Sequence, residues 1–332
     1  MDSPALLRLY HEIYLNIVSK TRIPISHIAR SMGRTGRGRA SSTISRHLST
    51  MYEKGISFSP TLLVDSFQNS RNMVYFCRKT ERRDISSTFE KLLRDEKMSY
   101  ALFVSGRCDY FVTSRDGTLD FEEYNLEIVE KSELHSLIVT LPQGWNLSME
   151  DVLKSFVDYD YAKGMLPREL KGNLPWSDLD WRIYEITRKN ARLPLIKIAR
   201  DVGSSPLTVR DHLYNTVFPA CVPVNYFFPK GYDSYLKLLL QVRTQYEKSF
   251  VNALERLPCT SFVAPLEEGL AVGVFHENIN DMMAAIGRLE EMGVIDDYCI
   301  YTPLNNLHLH DLPERPGSGQ SGSASLLNPW ET

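Results

Sequence analysis

Residues 13–33, IYLNIVSKTRIPISHIARSMG, run in register with residues 183–203, IYEITRKNARLPLIKIARDVG, at a constant offset of 170. Ile13-Tyr14 falls on Ile183-Tyr184, Pro24 on Pro194, Ile28-Ala29-Arg30 on Ile198-Ala199-Arg200 and Gly33 on Gly203. Beyond the glycine the offset drops to 165, where His47-Leu48 meets His212-Leu213. The first copy therefore carries five extra residues, within RTGRGRASS. A repeat of this density makes the chain two copies of one unit, so an element read in one copy needs a counterpart in the other.

Each copy opens with the pattern of three helices. In the first they are expected over Pro4–Lys20, Pro24–Ser31 and Ser42–Lys54; in the second, over Ser177–Asn190, Pro194–Asp201 and Pro206–Val217. Ser177 reads as an N-cap, with Asp178 as a rival and Asp180 adding charge to the first turn, and Ser205-Pro206 is a cap followed by proline at the first helical position. Gly33 and Gly203 sit where a tight helix-to-helix turn favours positive φ.

A mixed stretch follows each unit. In copy two the order is strand Tyr235–Thr244, helix Tyr246–Leu257, strands Ser261–Leu266 and Leu270–Phe275, helix Asp281–Met292 and strand Ile295–Thr302. That βαββαβ order is ferredoxin-like. Copy one gives strand Met73–Lys79, helix Ile85–Arg94, hairpin Tyr100–Val104 with Tyr110–Ser114, a helix within 117–131 and a strand Leu134–Leu141. The fold expected is α+β, a tandem duplication of a (winged) helix-turn-helix domain and a ferredoxin-like domain. The boundaries are 1–60, 61–141, a linker at 142–176 with a short helix at Met149–Tyr161, then 177–230, 231–310, and a Gly/Ser-rich disordered tail at 311–332.

Charge separates the two copies. Residues 1–54 hold nine Lys/Arg against three Asp/Glu in a chain whose net charge is -3, so a basic block sits on an acidic body, the distribution of a localised nucleic-acid contact. The five cysteines are scattered singly without a CxxC pair, which excludes a zinc ribbon and predicts free thiols in a reducing cytoplasm. No apolar run approaches a bilayer span, and no membrane partner is expected. Neither a Walker-type phosphate loop nor a Ser/His/Asp or Cys/His set can be assembled. His308 and His310 follow a strand's alternation and form no metal cluster, so neither cofactor nor metal is expected.

The third helix of copy one is basic and rich in small hydroxyls, as a major-groove reader needs. The expected DNA-binding residues are Arg34, Arg37, Arg39, Ser41, Ser42, Thr43, Ser45, Arg46 and His47, with Ser204, Ser205, Thr208 and Arg210 in copy two. His47 and His212 occupy matched positions and are read equally as packing residues.

The segments IPISHIARSMG with STISRHLSTMYEKGI, and LDWRIYEITRKNARLPLIKIARDVGSSPLTVRDHL, resemble the Lrp/AsnC family of transcription regulators. The resemblance implies a non-enzymatic, sequence-specific DNA-binding regulator, here an intramolecular pseudo-dimer with double-stranded DNA as partner. It also implies further homodimerisation through the ferredoxin-like domains and binding of a small effector. Sirohaem decarboxylases resemble the same two-domain unit and pair two related copies; on that alternative, His135, His276, Arg78, Arg107 and Arg243 become the candidate substrate residues. A protein-interaction adaptor is the third reading.

Overall fold

The computed structural model describes residues 3–33, 39–80, 88–89, 91–92, 95, 97–115 and 119–304. The first three-helix unit comprises α1 (Pro4–Ser19), α2 (Ile25–Ser31) and α3 (Arg39–Glu53). Ser3 caps α1 by accepting from the Leu6 amide, and Pro24 stands at the N-cap of α2, one place before the position expected. Helix α3 begins earlier than Ser42, because the Ser42 and Thr43 hydroxyls donate to the Arg39 carbonyl within the helix. Its buried face is Ile44, Leu48 and Met51, which packs with Ile13, Tyr14 and Ile28.

The helix α4 (Met149–Val157) precedes the second unit, which repeats the arrangement as α5 (Asp178–Thr187), α6 (Leu195–Val202) and α7 (Pro206–His212). Ser177 and Asp180 form a complete capping box on α5. Gly203 ends α6 at φ 66°, and Gly33 holds φ 67° at the matched turn. Helix α7 is shorter than expected. Leu213–Val217 continues it as a wider, π-helical turn; Pro219, which lacks an N–H, closes off the regular ladder just beyond.

Each unit leads into one strand of an antiparallel ribbon, β1 (Thr61–Val64) against β7 (Cys221–Val224). The remaining strands are β2 (Asn72–Lys79), β3 (Met98–Ser105), β4 (Tyr110–Ser114), β5 (Leu126–Leu134), β6 (Ile138–Val139), β8 (Leu236–Arg243), β9 (Phe262–Pro265), β10 (Leu270–His276) and β11 (Asp297–Pro303). Among the described residues they form one sheet, ordered β5-β2-β4-β3-β11-β8-β10-β9-β6. Each half carries its own strands in the order fourth, first, third, second, the ferredoxin-like arrangement, and every pairing is antiparallel. The halves meet at a short seam, Thr302↔Ser105 and Pro303↔Val104.

The half-sheets also face each other. Val74, Phe76, Leu102 and Phe111 of the first share a core with Leu239, Ala264, Ala271 and Tyr301 of the second. The outer face of the second half is covered by α4, α8 (Glu247–Leu254) and α9 (Ile279–Glu291), through residues such as Phe156, Phe250 and Ile286.

Copy one departs from expectation here. Residues 119–125 form turns, and 126–131 lie in β5 rather than in a second helix. Asn125 takes φ 54°, which ends any helical path, while Leu119 and Phe121 reach the outer core from the turns themselves. The closing strand expected at Leu134–Leu141 is also redistributed. After Leu134 the His135 amide donates to the Pro265 carbonyl, and β6 pairs with β9 of the other half. The chain thus crosses from one half-sheet to the other, and the curled sheet encloses a space.

Candidate functional site

Arg34, Arg37, His308 and His310, and the tail 311–332, lie outside the described residues. Along α3, Arg39, Ser42, Ser45 and Arg46 are exposed, and Ser41, Thr43 and His47 half-buried. The His47 ring stands edge-on to Tyr10, 5.9 Å between centroids. In copy two the hydroxyls close their own helix start. Ser205 Oγ accepts from the Thr208 amide at 3.1 Å and lies 2.8 Å from Thr208 Oγ1, beside half-buried Ser204. Arg210 pairs with Asp211 at 3.0 Å, and His212 Nδ1 lies 2.8 Å from Asp180 Oδ1. On that helix the serine, threonine and histidine side chains hold the unit together.

The five residues of the enzyme alternative do not converge on one site: Arg78 and Arg107 adjoin, and His135, His276 and Arg243 stand elsewhere. Arg78 donates to the Arg107 carbonyl at one corner of the first half-sheet. His276 and Arg243 stand at opposite ends of β8, where His276 faces Leu236 and Arg243 faces Asp297. Arg243 is engaged by Glu268 at 3.1 Å. His135 is buried where the chain leaves β5, and burial lowers the basicity of both His135 and His276.

What the fold brings together is a different set. Arg71 at the start of β2, Lys97 before β3, Arg115 after β4 and Lys131 on β5 line one open cleft with Trp176 and Trp181. The cleft has a volume of about 820 Å³, and no carboxylate is among the described residues lining it. It lies at the end of the first half-sheet where β2 begins and β4 ends, beside Leu174 of the segment that leads into α5. The indoles pack edge-to-face at 4.6 Å, with Trp176 Nε1 donating to the Thr216 carbonyl at 3.3 Å. The Arg115 guanidinium lies 5.8 Å from the Trp181 ring and 5.5 Å from Tyr184, and is oriented by Glu185 at 3.0 Å. Lys131 Nζ stands 5.8 Å over the Tyr75 ring. Glu133 approaches Arg71 from the side at 3.6 Å. Flat apolar faces beside several cations suit a planar polyanion: indoles cover the plane while guanidinium and ammonium groups take its carboxylates.

Sequence reasoning did not find this set. Its cations lie on four separate segments, and no spacing links them; the pair of tryptophans in WSDLDW was the one local signal.

A second space of about 170 Å³ lies between the half-sheets beneath the β1–β7 ribbon, with mostly apolar walls. At its edge buried Lys237 donates to the Tyr100 hydroxyl at 2.7 Å.

An α+β chain with two ferredoxin-like half-sheets and a cationic, indole-lined cleft is the class of protein that emerges. No protein-family model and no curated protein matches it. Among solved structures it is similar to the crystal structure of the siroheme decarboxylase NirDL, at 13% identity and a TM-score of 0.49, over 89% of this chain and 90% of that one. A second crystal structure of that enzyme, in complex with an iron-uroporphyrin III analogue, aligns at 10% identity and a TM-score of 0.46 over the same shares. No residue correspondence is carried over from either structure.

These findings correct the reading as a non-enzymatic Lrp/AsnC-type regulator with DNA as its partner. Neither solved structure to which the chain is similar is of a DNA-binding regulator; both are of a siroheme decarboxylase. Within the chain, the one arginine of α7 is tied to its neighbouring carboxylate. None of the described helices is long and apolar enough to cross a membrane.

Proposed function

We propose that this chain is an enzyme of the sirohaem decarboxylase type, holding a planar polycarboxylate tetrapyrrole in the cationic cleft. One observation carries the reading: Arg71, Lys97, Arg115 and Lys131 surround the same open space as the Trp176–Trp181 pair. A macrocycle edged with carboxylates needs cations around a flat apolar face, and the cleft offers both.

Decarboxylation of an acetate side chain breaks the bond to the carboxylate carbon and releases carbon dioxide. The electron pair stays on the methylene carbon, delocalised into the macrocycle, until that carbon takes a proton. Arginine keeps its proton at any working pH, so Arg71 and Arg115 are assigned to holding carboxylates. Lys97 and Lys131 are the proton donors lining the cleft. All five cysteines are free thiols, four of them buried, which supports a reducing, cytoplasmic setting.

The test is anaerobic incubation with sirohaem, followed by mass analysis of the extracted pigment. Stepwise loss of carbon dioxide is expected, and Lys97→Met/Lys131→Met should slow it about a hundredfold or more. Pigment of unchanged mass after incubation contradicts the reading.

A further inference from the structure

We infer that Glu185 is a positioning residue of the cleft: it turns the Arg115 guanidinium into the orientation in which that group receives a carboxylate of a flat polyanion. The role presupposes the planar polycarboxylate ligand proposed above.

Arg115 follows the last residue of β4 and is held by the first helix of the second three-helix unit. Its guanidinium lies 5.8 Å from the Trp181 ring and 5.5 Å from the Tyr184 ring, and Nη1 meets Glu185 Oε1 at 3.0 Å. Trp181, Tyr184 and Glu185 stand at i, i+3 and i+4 along α5, so they share one face of the helix. The rings fix where the guanidinium sits, because a cation is drawn to an aromatic face. That attraction does not choose which edge of the fork is presented; the carboxylate on Nη1 does. A planar fork binds a carboxylate well only when its edge is turned toward it.

Glu185 is itself anchored. Its Oε2 pairs with Arg188 Nε at 2.9 Å, and the Arg188 carbonyl accepts from the Leu62 amide of β1 at 2.8 Å. The support therefore runs from the β1–β7 ribbon through Arg188 and Glu185 to the cleft. One carboxylate between two guanidiniums leaves the group cationic, and it meets Arg115 at a single nitrogen of a five-donor fork. Arg115 thus keeps its attraction for an anion.

The repeat supplies an internal control. Helices α1 and α5 keep the same buried pair, Ile13-Tyr14 and Ile183-Tyr184. Glu185 and Arg188 nevertheless fall on Leu15 and Val18, and Trp181 on His11. A three-helix unit therefore forms without this carboxylate or its arginine. What copy two carries at those places is directed at Arg115, which lines the cleft.

Charge and orientation predict opposite outcomes. Removing a carboxylate beside a polyanion site tightens binding by charge alone, whereas removing the group that orients Arg115 weakens it. The experiment is calorimetric titration of the full chain with iron-uroporphyrin III and, separately, with benzenehexacarboxylate, a flat polyanion that is not a tetrapyrrole. Moderate ionic strength screens the bulk charge effect. Glu185→Leu, the residue of copy one, should weaken both ligands about tenfold, as loss of a hydrogen bond to a charged group does. Glu185→Gln, which keeps an acceptor oxygen, should retain most of the affinity. In an Arg115→Ala background, Glu185→Leu should change nothing further. If Glu185→Leu loses its native circular dichroism, Glu185→Ala decides in its place. Binding that is unchanged or tighter in Glu185→Leu, an equal loss when Arg115 is already absent, or a parent that binds neither ligand would overturn the inference. A parent that binds benzenehexacarboxylate with the expected pattern but not iron-uroporphyrin III would uphold the positioning role and refute the tetrapyrrole reading alone.

Discussion

Arg22 and Arg192, which occupy matched places 170 residues apart, each grip the loop that carries the other. Arg22 donates to the carbonyls of Ala191 at 2.5 Å and Leu193 at 2.7 Å. Arg192 returns the contact to Thr21 at 2.6 Å and Ile23 at 2.9 Å. The four acceptors are themselves matched pairs, so a pseudo-two-fold axis passes between the three-helix units. The arginines thereby fix one unit against the other through backbone carbonyls, with Tyr214 of the second unit beside Arg22 and Tyr52 of the first beside Arg192.

Removing either arginine should therefore loosen the same joint. A hydrogen bond from a charged donor contributes about 1.5–3 kcal/mol when buried, less here because both side chains are only partly covered. Arg22→Ala or Arg192→Ala should each cost about 2 kcal/mol in urea unfolding. The double variant should cost less than the sum by about 0.5 kcal/mol or more, since each guanidinium orders the loop that holds the other. Strict additivity would show the two clasps to be independent.

The second unit also carries an acid-sensitive element. Burial by itself would raise the Asp180 pKa, but hydrogen bonds from Ser177 and His212 outweigh it and hold the carboxyl below its ordinary 3.8. A depressed carboxylate contributes stability that is present above the unfolded value and is lost as pH falls through the folded one. Stability should decline below about pH 4 through this group, and Asp180→Asn should flatten that part of the curve while lowering stability at pH 7. A variant curve parallel to the parent's below pH 4 would assign the acid sensitivity elsewhere.

Gly273 supports the wall of the cavity between the half-sheets. It pairs with Phe262 across β10 and β9, and the aromatic ring lies so close that an added Cβ would fall 1.9 Å from it. Gly273→Ala must push the ring of Phe262, which lines the cavity, aside. Overpacking of this kind costs about 1–3 kcal/mol, and melting should show it. A variant that melts as the parent does would mean that the ring has another place to go.

The second copy was legible almost element by element, because its signals were local. Ser205-Pro206 starts a helix, Gly203 ends one, and the largely apolar runs in Leu236–Arg243 and Leu270–His276 mark strands buried in a sheet. Copy one was legible where the same signals recur and failed between Arg115 and Leu141. There Leu119, Phe121 and Tyr124 imitate a helix face, yet they reach the core from turns, and Ile138–Val139 serves the opposite half-sheet. The cleft could not be read at all. Arg71, Lys97, Arg115 and Lys131 are ordinary surface cations until β2, β3, β4 and β5 set their ends side by side. The basic helix of copy one carried the opposite lesson: a strong local composition indicates charge, and does not by itself identify the partner.

The most direct test of the cleft is a Soret titration of the intact chain with iron-uroporphyrin III, repeated with Arg71→Ala/Lys97→Ala/Arg115→Ala/Lys131→Ala. Exposed charge pairs are screened by salt, so the titration is run at low and moderate ionic strength. The cleft predicts a saturable band shift in the parent, weakened by salt and reduced at least tenfold in affinity by the four substitutions, with circular dichroism unchanged. A parent that produces no shift, or a quadruple variant that binds as the parent does, would contradict the assignment of this cleft to a tetrapyrrole.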